Sequence, residues 1–213
     1  MNTRKLLGLL PVLALAATLA ACGGSPTEGT PNPQANTSEQ PSGGAPASGT
    51  QQKLLAPPVP KPLNAKPFLS KDQICKIVNG NQAKQLGIES PYLAGPPGAD
   101  SLSVDCSYGD RGTSGISIGV GFLVANKGGL SDIYKKRSDQ KVWEPLTVQE
   151  YPAVIIDRDD KTHSGGCMMY LGVTDQLAVQ VSYHGGNQDD AKQVCEKDKQ
   201  LAGMVISNLK LQG

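Results

Sequence analysis

Four cysteines, at positions 75, 106, 167 and 195, are spread over the last two-thirds of the chain, and their pairing limits the fold more than any other sequence feature. Their intervals of 31, 61 and 28 residues do not make a compact metal knuckle, and no CxxC pair is present. Neither a structural zinc site nor a thioredoxin-like redox motif is therefore expected. An even number of cysteines in an exported chain points instead to two disulfides, for which the sequence leaves three pairings open. Local organisation favours Cys75 with Cys106 and Cys167 with Cys195, each clipping a helix to a strand. Closing loops of about 30 residues in this way contributes roughly 2 to 4 kcal/mol apiece.

Export is read from the start of the chain. Arg4 and Lys5 precede an apolar run from Leu6 to Ala21, interrupted by Gly8, Pro11 and Thr18, and the run Leu19-Ala20-Ala21-Cys22 closes it. This is a signal-peptide layout, and the run is shorter than the ~20 residues that cross hydrocarbon as a helix. Its end resembles the lipobox of bacterial lipoprotein precursors. That resemblance implies a signal peptide at 1–21, cleavage before Cys22 and lipidation of the Cys22 thiol. A diacylglyceryl thioether holds a protein stably where a single acyl chain does not, so the expected address is the outer face of the cytoplasmic membrane.

Residues 22–67 read as the lipidated cysteine and a tether. Gly, Ser, Thr, Pro, Gln, Asn and Ala dominate, with apolar side chains confined to Leu54, Leu55, Val59 and Leu63. Such a segment cannot bury enough apolar surface to offset the entropy of ordering it. A flexible linker of this length averages roughly 35 to 40 Å end to end. Prolines at 57, 58, 60, 62 and 67 make its last part a stiffer, extended collar. Once the leader is removed, 18 basic residues stand against 19 acidic ones, without the clustered excess that a nucleic-acid footprint needs. The run Lys135-Lys136-Arg137 is expected to be a solvated helix end, with contact to an acidic lipid or glycopolymer as the alternative.

The folded part, residues 68–213, has the size of one domain. Ser70 followed by Gln73 signals a capped helix carrying Ile74, Cys75, Ile77 and Val78, and Asn81 is placed to start a second one that Gly87 stops. Residues 90–99, rich in Pro and Gly, read as a loop. Strands are expected over 103–108, over 116–122 with Ile116, Ile118, Val120 and Phe122 on one face, and over 142–146 and 153–157 around a bend at Glu150-Tyr151-Pro152. Cys167, Met169 and Leu171 and then Leu177, Val179, Val181 and Tyr183 alternate as a hairpin turning at Thr174-Asp175. A helix from Gly128-Gly129 to Arg137 lies between, and a long C-terminal helix carries the stripe Val194, Leu201, Ala202, Val205 and Leu209 behind Asp189 and Asp190. The expectation is an α+β domain: an antiparallel sheet of five or six strands with helices covering one face.

Groups that carry chemistry are sparse. His163 and His184 are the only histidines, and Ser164 beside His163 has no Gly-x-Ser-x-Gly elbow around it, so a polar turn is expected and no catalytic residue is assigned. Asp157, Asp159 and Asp160 lack the twelve-residue calcium loop, and Gly119-Val120-Gly121 and Gly128-Gly129 lack the Lys-Ser or Lys-Thr partner of a phosphate cradle. No metal or cofactor site is expected. Gly119 and Gly121 bare the strand face opposite Val120, open to a packed helix, a bulge or a ligand. Trp143, the sole tryptophan, is expected in core or edge packing, with an exposed aromatic contact as the alternative.

The frame Asp72-Gln73-Ile74-Cys75, Leu86-Gly87, Cys106-Ser107-Tyr108, Tyr151-Pro152-Ala153, the Cys167 strand and the Cys195 helix with Leu201-Ala202 and Val205 resembles the actinobacterial lipoproteins of domain of unknown function 3558 over residues 68–211. This chain departs from the usual pattern at Gln73-Ile74 (usually Asp-Pro), Tyr108 (usually Trp) and Glu150 (usually Gly). The resemblance implies location and fold class and brings no catalytic residues with it. The functional expectation is a non-catalytic module, held at the membrane by Cys22, that binds an envelope protein, lipid or glycan. A carrier of a small apolar ligand is the alternative, and a hydrolase a weaker one.

Overall fold

Strand alternation builds the domain. In β4 (Ser117–Phe122) the side chains of Ile118, Val120 and Phe122 are buried on one face, and Val179, Val181 and Tyr183 of β8 (Leu177–His184) continue that face through the antiparallel register Val120↔Val181. The computed structural model describes residues 54–93, 97–110, 114–158, 165–186 and 190–213. The remaining strands are β1 (Pro91–Leu93), β2 (Gly98–Ala99), β3 (Val104–Asp110), β5 (Val142–Val148), β6 (Tyr151–Asp157) and β7 (Gly166–Thr174). The order is β1-β3-β4-β8-β7-β6-β5, with every neighbour antiparallel, and β2 pairs with β3 beside β1.

Seven strands along this path replace the expected five or six. The extra pairing comes from residues 90–99, expected as a loop: β3 is long enough that its outer edge offers unpaired backbone groups, which β1 and β2 satisfy in short pieces. The bend between β5 and β6 also lies earlier than expected. Val148 pairs with Tyr151, so Gln149 and Glu150, at φ of 47° and 77°, form the two-residue turn, and Tyr151 and Pro152 belong to β6. Positive φ at both positions suits the strand twist but is costly for side chains other than Gly, Asn or Asp. The turn is held from outside, where Gln149 Nε2 donates to Gly203 O at 3.1 Å and to Ser207 Oγ at 3.0 Å.

Helices cover both faces rather than one. The first face carries α3 (Ala191–Lys210), α1 (Gly80–Gln85) and the 3-10 turn Ile74–Lys76, all contributing to the main core. Asn79 caps α1 in place of Asn81: its side chain accepts from Gln82 N while Gln82 Oε1 accepts from Asn79 N, each at 3.0 Å. Ser70 offers its backbone carbonyl, not its hydroxyl, to the N–H groups of Gln73 and Ile74. The second face carries α2 (Leu130–Tyr134), because the chain leaves central β4 and must cross the sheet to reach edge strand β5. The helix expected to reach Arg137 breaks after Tyr134, and Arg137–Asp139 forms a separate 3-10 turn. Disulfides Cys75–Cys106 and Cys167–Cys195, with Cα atoms 5.3 and 5.1 Å apart, tie the early 3-10 turn to β3 and α3 to β7.

The collar is part of the domain. Along residues 54–67, Ala56 is buried with Leu130, Ile133 and Val154 on the second face, while Leu63 and Ala65 are buried in the main core. Ser131 Oγ accepts from both Leu55 N and Ala56 N at 3.1 Å, Asp175 accepts from Val59 N at 3.0 Å, and Val173 O accepts from Leu63 N at 2.8 Å. Tyr151 donates its hydroxyl to Lys61 O at 3.0 Å. So few buried side chains suffice because the prolines between them limit the freedom lost on docking. Gly172 makes room for the crossing: a Cβ there would meet Val59 at 3.1 Å and Pro152 at 3.3 Å.

Within the stripe of α3, Asp198 is fully buried and neither carboxylate oxygen has a hydrogen-bond partner among the described residues. Burial pushes its carboxyl well above the usual range. The folded chain therefore binds this proton more tightly than the unfolded one, so the stability it contributes is complete below the ordinary carboxylate pKa and is lost as pH rises toward the folded value.

Two outcomes are expected. Ser131→Ala strands the buried Ala56 N–H and should lower stability by roughly 1 to 2 kcal/mol in urea titration, with amide exchange accelerating first in residues 55–63. Asp198→Asn should remove a stability slope of up to about 1.4 kcal/mol per pH unit that the unsubstituted protein shows above the ordinary carboxylate pKa. Equal slopes in the two proteins between acid and neutral pH would contradict the buried-carboxyl account.

Candidate functional site

On β7, even-numbered side chains point away from α3. Met168 and Tyr170 therefore stand on the second face, beside Ile156 of β6 and beneath Ile133 of α2. These four residues line a cavity of about 400 Å³, within the ~300 to 1,000 Å³ of small-molecule sites. Burial raises the Tyr170 phenol above its usual range, and its hydroxyl contacts Met168 Sδ at 3.3 Å.

Polar groups occupy the mouth. Lys136 comes from the segment after α2, Asp157 and Arg158 from the end of β6, and His184 from the end of β8. Gly166 and His184 are register partners, and a Cβ on Gly166 would come within 2.9 Å of His184 Nδ1, so the missing side chain leaves the imidazole its place. The basic run divides three ways. Lys135 is paired with Asp132 at 2.6 Å, holding that carboxyl below its usual range, and Arg137 lies 5.8 Å from the centre of the Trp143 ring. Lys136 alone lines the cavity, and neither it nor Arg158 forms an ion pair with a described residue, whereas Asp157 is engaged in a further interaction.

Trp143 supports this wall from outside. It is the register partner of Ile156 and meets Tyr134 edge-on at 4.9 Å and 82°. Its Nε1 is buried without a hydrogen-bond partner. Packing, not an exposed aromatic platform, is its place. Gly119 and Gly121 do lie on this face, and the nearest atoms to a Cβ built on each belong to strands: Ser182 Oγ at 2.8 Å for Gly119 and Asp105 Cβ at 3.4 Å for Gly121.

His163, Ser164, Asp159, Asp160 and Asp189 lie outside the described residues, as does Cys22. Among the described residues that line the cavity there is no serine or threonine, and the one cysteine, Cys167, is in a disulfide. Among the described residues no group of three or more His, Cys, Asp or Glu is placed to hold a metal ion, and no helix is long and apolar enough to cross a membrane. At the other end of the sheet Tyr108, standing where the resemblance leads one to expect Trp, donates its hydroxyl to the carbonyls of Cys75 and Val78 beside the first disulfide. The site residues that sequence reading passed over are Met168, Tyr170, Ile156 and Arg158. The available signal was an imperfect alternation, because 168 and 170 are large and apolar on what would otherwise be the solvent side of β7.

A family profile described as "Protein of unknown function (DUF3558)" matches residues 17–208. The chain belongs to this family. The match spans the whole described domain up to the last turn of α3, and its start within the apolar run Leu6 to Ala21 takes in Cys22. No curated protein and no solved structure matches this DUF3558 chain.

Proposed function

We propose that this DUF3558 protein is a non-catalytic binding module of the bacterial cell envelope, lipid-anchored through Cys22 at the outer face of the cytoplasmic membrane. Its ligand is a small molecule with an apolar body. The observation that carries the reading is the cavity bounded by Ile133, Ile156, Met168 and Tyr170, a concave and largely apolar surface of small-molecule size. Exposed large apolar side chains among the described residues are Leu55, Leu93, Leu102 and Leu211, too scattered in the chain and fold to favour a protein-docking patch over a small ligand. Anchoring through Cys22 confines the module to the lipid surface and raises its encounter rate with membrane-derived ligands.

Two experiments test the two halves. Cys22→Ala should move the protein from the membrane pellet to the soluble fraction; continued sedimentation with membranes would remove the anchoring half. In the mature chain, the neutral fluorophore N-phenyl-naphthylamine should bind saturably and one to one, quenching or shifting Trp143 emission. Met168→Trp, which fills the cavity, should abolish that binding at an unchanged unfolding temperature, and full binding by this variant would place the ligand elsewhere.

A further inference from the structure

We infer that the cavity takes a single-chain amphiphile bearing one anionic group, a carboxylate or a phosphate monoester, with its head between Lys136 and Arg158 and its chain on Ile156, Met168 and Tyr170. The inference rests on the cavity being a small-ligand site, and it assigns the chemical class. Two cations reach one apolar hollow from separate elements, Lys136 after α2 and Arg158 after β6. Within the basic run, Lys135 is taken by Asp132 and Arg137 lies against the Trp143 ring, which leaves Lys136 as the run's cation at the cavity. The chain as a whole is close to neutral, at +1 with its leader. Against these two cations the lining sets one carboxylate, Asp157, itself engaged in a further interaction, and the positive excess over apolar walls draws anions. The guanidinium of Arg158 matches a carboxylate or phosphate in a two-pronged geometry, and the Lys136 ammonium adds a mobile point charge. The imidazole of His184, seated over Gly166 at the same mouth, offers a further hydrogen-bonding group. A volume of about 400 Å³ lies near the lower end of ligand sites, which suits one chain and not two.

The test is displacement of N-phenyl-naphthylamine from the mature chain by decanoate, decyl phosphate, decanol and inorganic phosphate, all below micelle formation. Decanoate and decyl phosphate should compete at about tenfold lower concentration than decanol, an advantage that shrinks as salt is added. Inorganic phosphate should not compete, which separates a headgroup on a chain from a free anion. In Lys136→Gln/Arg158→Gln the ratio of decanol to decanoate competition should fall to about one. Equal competition by decanol and decanoate in the unsubstituted protein, or a preference that survives the double substitution, overturns the anionic assignment while leaving the apolar cavity standing. Competition by inorganic phosphate as strong as by decyl phosphate overturns it in favour of a free-anion site. If neither the fluorophore nor any chain binds, the small-ligand reading fails with it.

Discussion

On β7, Cys167, Met169, Leu171 and Val173 turn toward α3 and are buried, while Met168, Tyr170 and Gly172 turn toward α2 and the collar and are partly covered. Its partner β8 is held in register over nearly its whole length, from Gly166↔His184 to Thr174↔Leu177, with one irregularity between Gly172 and Thr174. Side chains of about 0.8 kcal/mol per buried methylene accumulate on both faces of this strand. The rest of the domain is arranged by that double burial. The second disulfide locks α3 onto one face, and the β4-to-β5 crossover lays α2 on the other.

The cavity is a consequence of how little α2 covers. Five helical residues at about 1.5 Å each span about 8 Å, less than two strand spacings of ~4.8 Å. Packing is dense where Leu130, Ile133, Val154 and Ala56 meet, and it ends before the finish of β8. The hollow left between them has an apolar lining because β6 and β7 are apolar on both sides, and a polar mouth because it lies where strands end. Asp198 is the opposite case, a carboxyl sealed within the densest layer without a partner among the described residues. The surrounding apolar burial outweighs the cost of keeping one acid there by holding it protonated.

Much of the frame was legible in the residues. The C-terminal helix, the β7–β8 hairpin and the buried face of β4 follow from periods of 3.6 and 2, and the favoured cysteine pairing followed from placing a helix beside a strand. Residues 54–67 and 90–99 were not legible, because proline and glycine erase both periods and such segments gain order only from a surface already made. Asn79 and Asn81 illustrate the same limit at shorter range: both are good caps, and the choice between them depends on Gln82 returning its own side chain to Asn79 N. Of the site, His184, Asp157, Lys136 and Cys167 stand out in the sequence, and each for a reason other than the one the fold supplies.

By itself the sequence determined a DUF3558 domain of antiparallel strands closed by a long helix and stapled by four cysteines, because each of those features is encoded in periodicity or covalent chemistry along the chain. Tertiary structure alone decided that the collar is part of the domain, that helices cover both faces, and that Lys136 and Arg158 share a mouth with Met168 and Tyr170. Those relations join residues on separate elements, through a crossover whose path depends on which strand becomes the edge, and no local pattern records that choice.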